Sequence, residues 1–182
     1  MTQISERYRT LADEMTRRVA AVTADRWDDP SPCEGWSARD VLGHVIGNHR
    51  ELPGQAGVTV DLNRSVSDEP VAAWLEARDA MQDLLEDPSR AGAEYEGAFG
   101  RASVQQTVDQ FGGFDLLVHA WDIARATGQD ETLPSSEVST VHAMALRLGE
   151  ALRLDGVCGP AVPVPEDAPE QERLLGLLGR RP

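Results

Sequence analysis

Asp115 and His119 are a pair of residues whose types and spacing could bind a metal ion. A separation of four residues places both side chains on one face of an α-helix, one turn apart. A carboxylate on a core-facing stripe needs a metal ion, a cation or hydrogen-bond donors, because burying an unpaired charge is prohibitive. The other members of the stripe are mostly apolar: Val104, Val108, Phe111, Asp122 and Ala126.

A second helical segment offers a matching ligand, His44, on a face that also carries Val41, Val45, Asn48 and Leu52. If the two helices pack together, His44, Asp115 and His119 form one cluster. Three protein ligands leave a coordination position open, as in catalytic rather than structural metal sites. We therefore predict one divalent metal ion, with zinc preferred. Nickel or iron are alternatives, since two histidines and a carboxylate also suit non-haem iron.

Each of these residues has a simpler structural explanation. His44 alone could be a hydrogen-bonded core histidine, and Asp115 with His119 could be an ordinary i,i+4 pair. Asp122 could orient a metal ligand from behind or pair with an arginine. The pattern leaves these roles open.

The remaining candidates are expected to be structural. His49 lies about 140° round the helix from His44, so we expect it to face solvent. His142 is expected to be structural and Cys33 to be a packing residue. Cys33 and Cys158 are not in a C-x-x-C arrangement, which predicts two free thiols. The tryptophans are expected to be core or lid residues: Trp27, Trp36, Trp74 and Trp121.

Helical periodicity dominates the chain, and its length fits one domain over residues 1–182. Pro53-Gly54 should end the second helix, and residues 89–102 should form a loop with a short strand or turn. Capping boxes are expected at Ser37 with Asp40 and at Ser103 with Gln106. An all-α bundle follows. The predicted helices span residues 5–24, 37–52, 68–88, 103–127 and 134–154, with a short helix over 169–178.

The balance of charge excludes several partners. The net charge of −14 comes from 31 acidic and 17 basic residues. A surface of this sign repels nucleic-acid phosphates and anionic membranes. No apolar run is long enough to span a bilayer and no leader follows Met1, so we expect a cytoplasmic protein.

Two motifs resemble a known family. The run Pro30–His44, PSPCEGWSARDVLGH, resembles the P-x-x-C-x-x-W-x-x-x-D-x-x-x-H opening of the mycothiol-dependent maleylpyruvate isomerase group. The run Asp115–Gly128 is similar to that group's acid-x-x-x-H-x-W-D-x-A-x-A-x-G helix. The group belongs to the DinB-like superfamily of four-helix metalloproteins. Residues 159–165 and 169–179 resemble the closing segment of its actinobacterial branch.

The resemblance implies a DinB-like four-helix bundle with an additional C-terminal segment. It implies His44, Asp115 and His119 as the ligands of a metal, usually zinc, and mycothiol as a thiol cosubstrate. The family's carboxylate ligand is typically Glu, so Asp115 is one methylene shorter. Bundles of this superfamily often form dimers, which leaves a homodimer open.

These observations lead to a functional hypothesis and two alternatives. The hypothesis is a metal- and thiol-dependent transferase or isomerase acting on a small electrophilic substrate, with no catalytic or cofactor-binding side chain assigned. One alternative is a non-catalytic metal-binding sensor or interaction module. The other is a metal-dependent hydrolase that uses a metal-bound water.

Overall fold

The computed structural model describes residues 2–97, 100–154 and 156–182, which form two compact units, residues 1–129 and 130–182. The first unit contains α1 Gln3–Ala21, α2 Ala38–Gly54, α3 Pro70–Glu86, α4 Pro88–Ala91, β1 Glu94–Gly97, β2 Gly100–Ser103, α5 Val104–Thr107, a π-helical turn Val108–Gly112 and α6 Gly113–Thr127. The second contains α7 Ser135–Leu148, a 3₁₀ turn Gly149–Arg153 and α8 Glu170–Leu177. A single domain over 1–182 stays a prediction.

Four long helices build the first unit. α1 packs against α3 and α6, and α2 packs against the same two helices. Apolar residues at three- and four-residue steps explain the packing of α1, whose Leu11, Met15 and Val19 are all buried. Trp74 of α3 is fully buried in the same core, where its indole N–H donates to Thr16. The predicted all-α, DinB-like fold is confirmed.

Side-chain caps fix where the site-bearing helices begin. The Ser37 hydroxyl accepts the backbone N–H of Asp40, and the Asp40 carboxylate accepts the N–H of Ser37. Ser103 and Gln106 form the equivalent box ahead of α5. Both predicted capping boxes are therefore confirmed. At its other end α2 runs through Pro53 to Gly54, slightly beyond its predicted end.

The predicted single helix over 103–127 is interrupted by the π-helical turn Val108–Gly112. A π turn holds one residue more than an α turn, so a helical wheel of constant pitch fails across it. Val108 is buried, whereas Phe111, predicted on the same stripe, is only partly buried. Arg7 of α1 donates to both the backbone and the side-chain oxygen of Asp109 in this turn. Downstream, α6 is regular, and the spacing from Asp115 to Asp122 follows the prediction.

The predicted loop over 89–102 contains an antiparallel hairpin. Glu94 pairs with Ser103 and Gly97 with Gly100. Residues 98 and 99 lie outside the described residues. The strand or turn expected in this segment is thus present as two strands.

In the second unit, α7 packs against α8. His142 of α7 hydrogen-bonds Glu170 of α8 (3.2 Å), in keeping with the structural role expected for it. The backbone N–H of Val162, in the extended segment before α8, donates to the carbonyl of Gly176 (2.8 Å). The close approach leaves no room for a side chain at Gly176, where a Cβ would lie 2.8 Å from the carbonyl oxygen of Val162.

Among the helices described, none is both long and apolar enough to cross a membrane.

Candidate metal site

Helices α2 and α6 bring His44, Asp115 and His119 together. The Nε2 atom of His44 lies 3.5 Å from Asp115 Oδ2, and His119 Nε2 lies 3.9 Å from Asp115 Oδ1. The two imidazole rings meet edge to face with centroids 5.0 Å apart. One ligand atom from each residue lies within 4.8 Å of the other two. The cluster predicted from spacing therefore exists in the fold.

The orientation of His119 is set from behind by Asp122. The Nδ1–H of His119 donates to Asp122 Oδ2 (2.9 Å), and Asp122 is fully buried. Because Nδ1 carries the proton, the neutral ring presents the lone pair of Nε2 towards Asp115. A carboxylate behind a histidine is a usual support for a metal ligand. Of the two roles left open for Asp122, the structure favours the orientation of His119.

Asn48 is a fourth polar residue in the cluster. It stands one helical turn after His44, and its amide nitrogen lies 3.1 Å from His44 Nε2. The same nitrogen donates to Asp115 Oδ2. Sequence reasoning placed Asn48 on the correct face of α2 but gave it no role. The signal that could have found it is the i,i+4 spacing from His44.

The site favours the ionised form of Asp115. Burial raises the pKa of this carboxyl, since the side chain is only 20% exposed. Interactions with His44, His119 and Asn48 oppose that effect and leave the pKa of Asp115 below its ordinary value. A carboxylate, rather than a carboxylic acid, is the form able to bind a cation.

The loop before α2 places Cys33 and Trp36 beside the histidines. Ser31 donates to the carbonyl of Trp36 (2.8 Å) and Trp36 to that of Cys33 (3.0 Å), with Gly35 at a φ of 77° between them. A left-handed conformation of this kind favours glycine. The indole ring of Trp36 lies 5.1 Å from the His44 ring and is 38% exposed. Trp36 thus lies at the solvent edge of the site, as expected of a lid residue.

Cys33 contacts Asp122, the residue that orients His119. Its thiol donates to Asp122 Oδ2 (3.4 Å), the oxygen that accepts from His119. Cys33, His119 and Asp122 therefore form a second group that could hold a cation. Since His119 Nδ1 and Cys33 already donate to this carboxylate, the three form a hydrogen-bonded chain behind the first group. Both cysteines are free thiols, as predicted.

The expectation that His49 faces solvent is wrong. His49 is only 5% exposed; its Nδ1–H donates to the carbonyl of Val45 (2.8 Å), and its Nε2 lies 3.0 Å from the Tyr8 hydroxyl. A helical wheel with one buried face does not describe α2, which packs against α3 as well as α6. The Trp74 ring of α3 meets His49 edge to face. Burial lowers the pKa of His49 from 6.5 to about 4.

Comparison with known proteins identifies the class. Residues 8–130 match the family described as the mycothiol maleylpyruvate isomerase N-terminal domain, and the chain belongs to this family. The matched region contains every residue of the two groups above. The resemblance drawn from the two motifs is thereby confirmed.

Two similar proteins from one organism are both described as uncharacterized. An uncharacterized protein of Mycobacterium tuberculosis is 28% identical over 175 residues, which cover 95% of each chain. A second uncharacterized protein from the same organism is 38% identical over 42 residues, 23% of this chain and 16% of the relative. No solved structure matches the chain significantly.

Proposed function

We propose that the protein binds one divalent metal ion through His44 Nε2, an Asp115 carboxylate oxygen and His119 Nε2. The observation that carries this proposal is the gathering of three ligand atoms within 4.8 Å, one of them directed by the buried Asp122. Two nitrogens and one oxygen suit zinc, which we prefer, and also nickel or iron.

The chemistry of the donor set supports this proposal. Two imidazole rings and an ionised carboxylate converge on one place, and acceptor atoms so arranged repel each other unless a cation or a donor such as the Asn48 NH₂ group lies beside them. The shorter side chain of Asp115 is compatible with this role because α6 packs directly against α2. Only the His44 side chain is substantially exposed, at 34%, so the cluster opens to solvent on its side.

We further propose that the protein is a thiol-dependent transferase or isomerase that acts on a small electrophilic substrate. Membership of a mycothiol-related family supports a low-molecular-weight thiol such as mycothiol as cosubstrate. When bound, the metal ion would lower the pKa of a thiol at its open position. The lone pairs of His44 and His119 would hold the metal ion, and Trp36 would limit the access of water to the thiol.

Elemental analysis of the untagged protein tests the metal proposal. We expect about one equivalent of metal in the wild type and its loss in His44→Ala and His119→Ala. His142→Ala is the matched control, because it removes a hydrogen-bonded histidine of the second unit and should retain the metal. Absence of metal from the wild type after reconstitution would contradict the proposal.

The reaction is tested separately with the metal-loaded protein. Turnover of electrophilic substrates should require both metal and an added thiol, and it should be lost in His44→Ala. Turnover of activated esters without any thiol would instead support the hydrolase. A metal whose coordination spectrum does not respond to thiols would support the non-catalytic sensor.

A further inference from the structure

Asn48 joins two of the proposed ligands through one atom. Its Nδ2 donates to His44 Nε2 (3.1 Å) and to Asp115 Oδ2. The two acceptor atoms lie 3.5 Å apart. The amide nitrogen therefore stands beside the same two lone pairs that a cation would use.

Asn48 offers one donor group to both of these acceptors. In its neutral form His44 presents a lone pair at Nε2, and Asp115 presents a carboxylate oxygen beside it. Such acceptors repel unless a donor lies between them, and the NH₂ group of Asn48 supplies two N–H bonds. The donor stabilises the metal-free cluster, in the way that a cation would stabilise the loaded one.

A cation at this place cannot coexist with the NH₂ group in its present direction. The lone pairs of His44 Nε2 and Asp115 Oδ2 would bind the metal instead of accepting the two N–H bonds. The amide hydrogens would then point at a positive charge. A half-turn of the amide group exchanges Nδ2 with Oδ1 and moves no other atom. It places a carbonyl oxygen, a suitable ligand for a divalent cation, where the nitrogen was.

We propose that Asn48 is a two-state residue of the metal site, which bridges His44 and Asp115 through its NH₂ group when the metal is absent and coordinates the metal through Oδ1 when it is present. The inference rests on the proposed function. Ligand atoms on one tetrahedral zinc ion lie about 3.4 Å apart, given bonds of about 2.1 Å. The separations of 3.1 and 3.5 Å from His44 Nε2 to Asn48 Nδ2 and to Asp115 Oδ2 are near this spacing, whereas Asn48 Nδ2 and Asp115 Oδ2 lie closer together and would have to move apart on metal binding.

The fourth ligand makes the donor set two nitrogens and two oxygens. Oxygen donors favour zinc, iron(II) and nickel over the softer copper(I), so Asn48 contributes to the selection of the metal. A thiol would then bind either by displacing the neutral amide or as a fifth ligand. The amide is the ligand most easily displaced, because it alone among the four carries neither charge nor an imidazole lone pair.

Two substitutions of Asn48 separate the two states. Asn48→Leu has nearly the same size but removes both the donor and the acceptor. Asn48→Asp removes the donor and keeps an oxygen able to coordinate. Asn63→Asp is the matched control, because Asn63 is the chain's other asparagine and is exposed. Each protein is measured for its metal-free unfolding midpoint and for its zinc affinity by competition with a chromophoric chelator.

For Asn48→Asp the unfolding midpoint should fall without a loss of zinc affinity. Its metal-free form should unfold at a lower temperature than the wild type, because the new carboxylate lies against Asp115. Its zinc affinity should equal or exceed that of the wild type. Asn48→Leu should lose about 100-fold in zinc affinity, at the upper end of the loss caused by removing a supporting partner. Asn63→Asp should bind zinc as the wild type does.

Failures of this inference and of the proposed function are distinguishable. If the wild type binds zinc and both Asn48 variants lose affinity to the same extent, Asn48 acts only as a donor and the coordinating state is wrong. If Asn48→Leu binds zinc with wild-type affinity, neither state contributes to binding. If no variant and no wild type binds any metal, the proposed function fails and this inference with it.

Discussion

At the scale of single residues, the cluster depends on a carboxylate that is not among the three proposed ligands. Asp122 is fully buried and accepts hydrogen bonds from both His119 and the Cys33 thiol. A buried carboxylate is stable only with such donors. Its position thus ties the orientation of one proposed ligand to the loop before α2.

Replacing Asp122 tests this role. Asp122→Asn keeps an oxygen that can accept from His119 but removes the charge that strengthens the bond. We expect metal affinity to fall about tenfold, with His119 still present. Competition with a chelator measures the change, and exposed Asp61→Asn is a suitable control. Unchanged affinity would show that the packing of α6 alone orients His119.

His49 makes the stability of the protein depend on pH. Its pKa is 6.5 in the unfolded chain and about 4 in the folded protein, where burial is the main cause and the charge of Asp115 acts in the opposite direction. Between these values the unfolded chain binds a proton that the folded one does not. The free energy of unfolding should therefore decrease as the pH falls from 6.5 to about 4, by about 3 kcal/mol in total.

The pH effect of His49 is measured as a difference between two proteins. Urea unfolding at several pH values should show a steeper loss of stability in the wild type than in His49→Gln, which cannot be protonated in this range. The comparison removes the contribution of carboxylates such as Glu14 and Asp40, whose pKa values lie below normal in the folded protein. Parallel curves would mean that protonated His49 is tolerated in the fold.

Sequence alone could place Asp115 and His119 on one helix face and His44 on a face of another helix, because each pattern involves a single helix; their meeting depended on the packing of α2 against α6. It could not predict the burial of His49, which depends on which neighbours α2 acquires on its second side. The role of Asn48 was hidden for a similar reason: its partner Asp115 lies 67 residues away on another helix.

At the scale of elements, the start of α2 determines where His44 and Asn48 stand. The Ser37 hydroxyl accepts a hydrogen bond from the Asp40 N–H, and the Asp40 carboxylate accepts one from the Ser37 N–H. We expect Ser37→Ala to lower the free energy of unfolding by about 1 kcal/mol. Urea unfolding measures the loss. Ser89→Ala, at an exposed serine of α4, should change it by less than about 0.5 kcal/mol.

The capping boxes could be predicted from the sequence, whereas the π turn could not. Capping boxes are local, so those at Ser37 and Ser103 could be predicted from a few residues. The π turn Val108–Gly112 could not be predicted, since a helical period is read on the assumption that every turn is alike. It is accompanied by the contact of Arg7 with Asp109, which joins positions 102 residues apart.

At the scale of the whole molecule, the acidic surplus is the dominant property. A net charge of −14 repels other anions, including nucleic-acid phosphates. Several arginines form surface ion pairs, such as Arg9 with Glu86. Exposed pairs of this kind contribute little, so repulsion among the unmatched acids should outweigh them.

Salt should therefore stabilise the protein. Raising sodium chloride from about 0.01 M to about 0.15 M shortens the Debye length from about 30 Å to about 8 Å and screens the repulsion. We expect the unfolding midpoint to rise over this range. Scanning calorimetry measures it, and repetition with potassium chloride separates screening from specific binding of sodium. A falling midpoint would mean that the attractive ion pairs dominate.

The position of Trp36 gives the protein a built-in optical probe. Trp27, Trp74 and Trp121 are buried and should emit at short wavelengths, whereas Trp36 is 38% exposed and lies 5.1 Å from His44. Loading the site should therefore change the long-wavelength part of the emission, and Trp36→Phe should abolish the change. The same signal would allow occupancy by metal, and afterwards by thiol, to be followed in real time without any label.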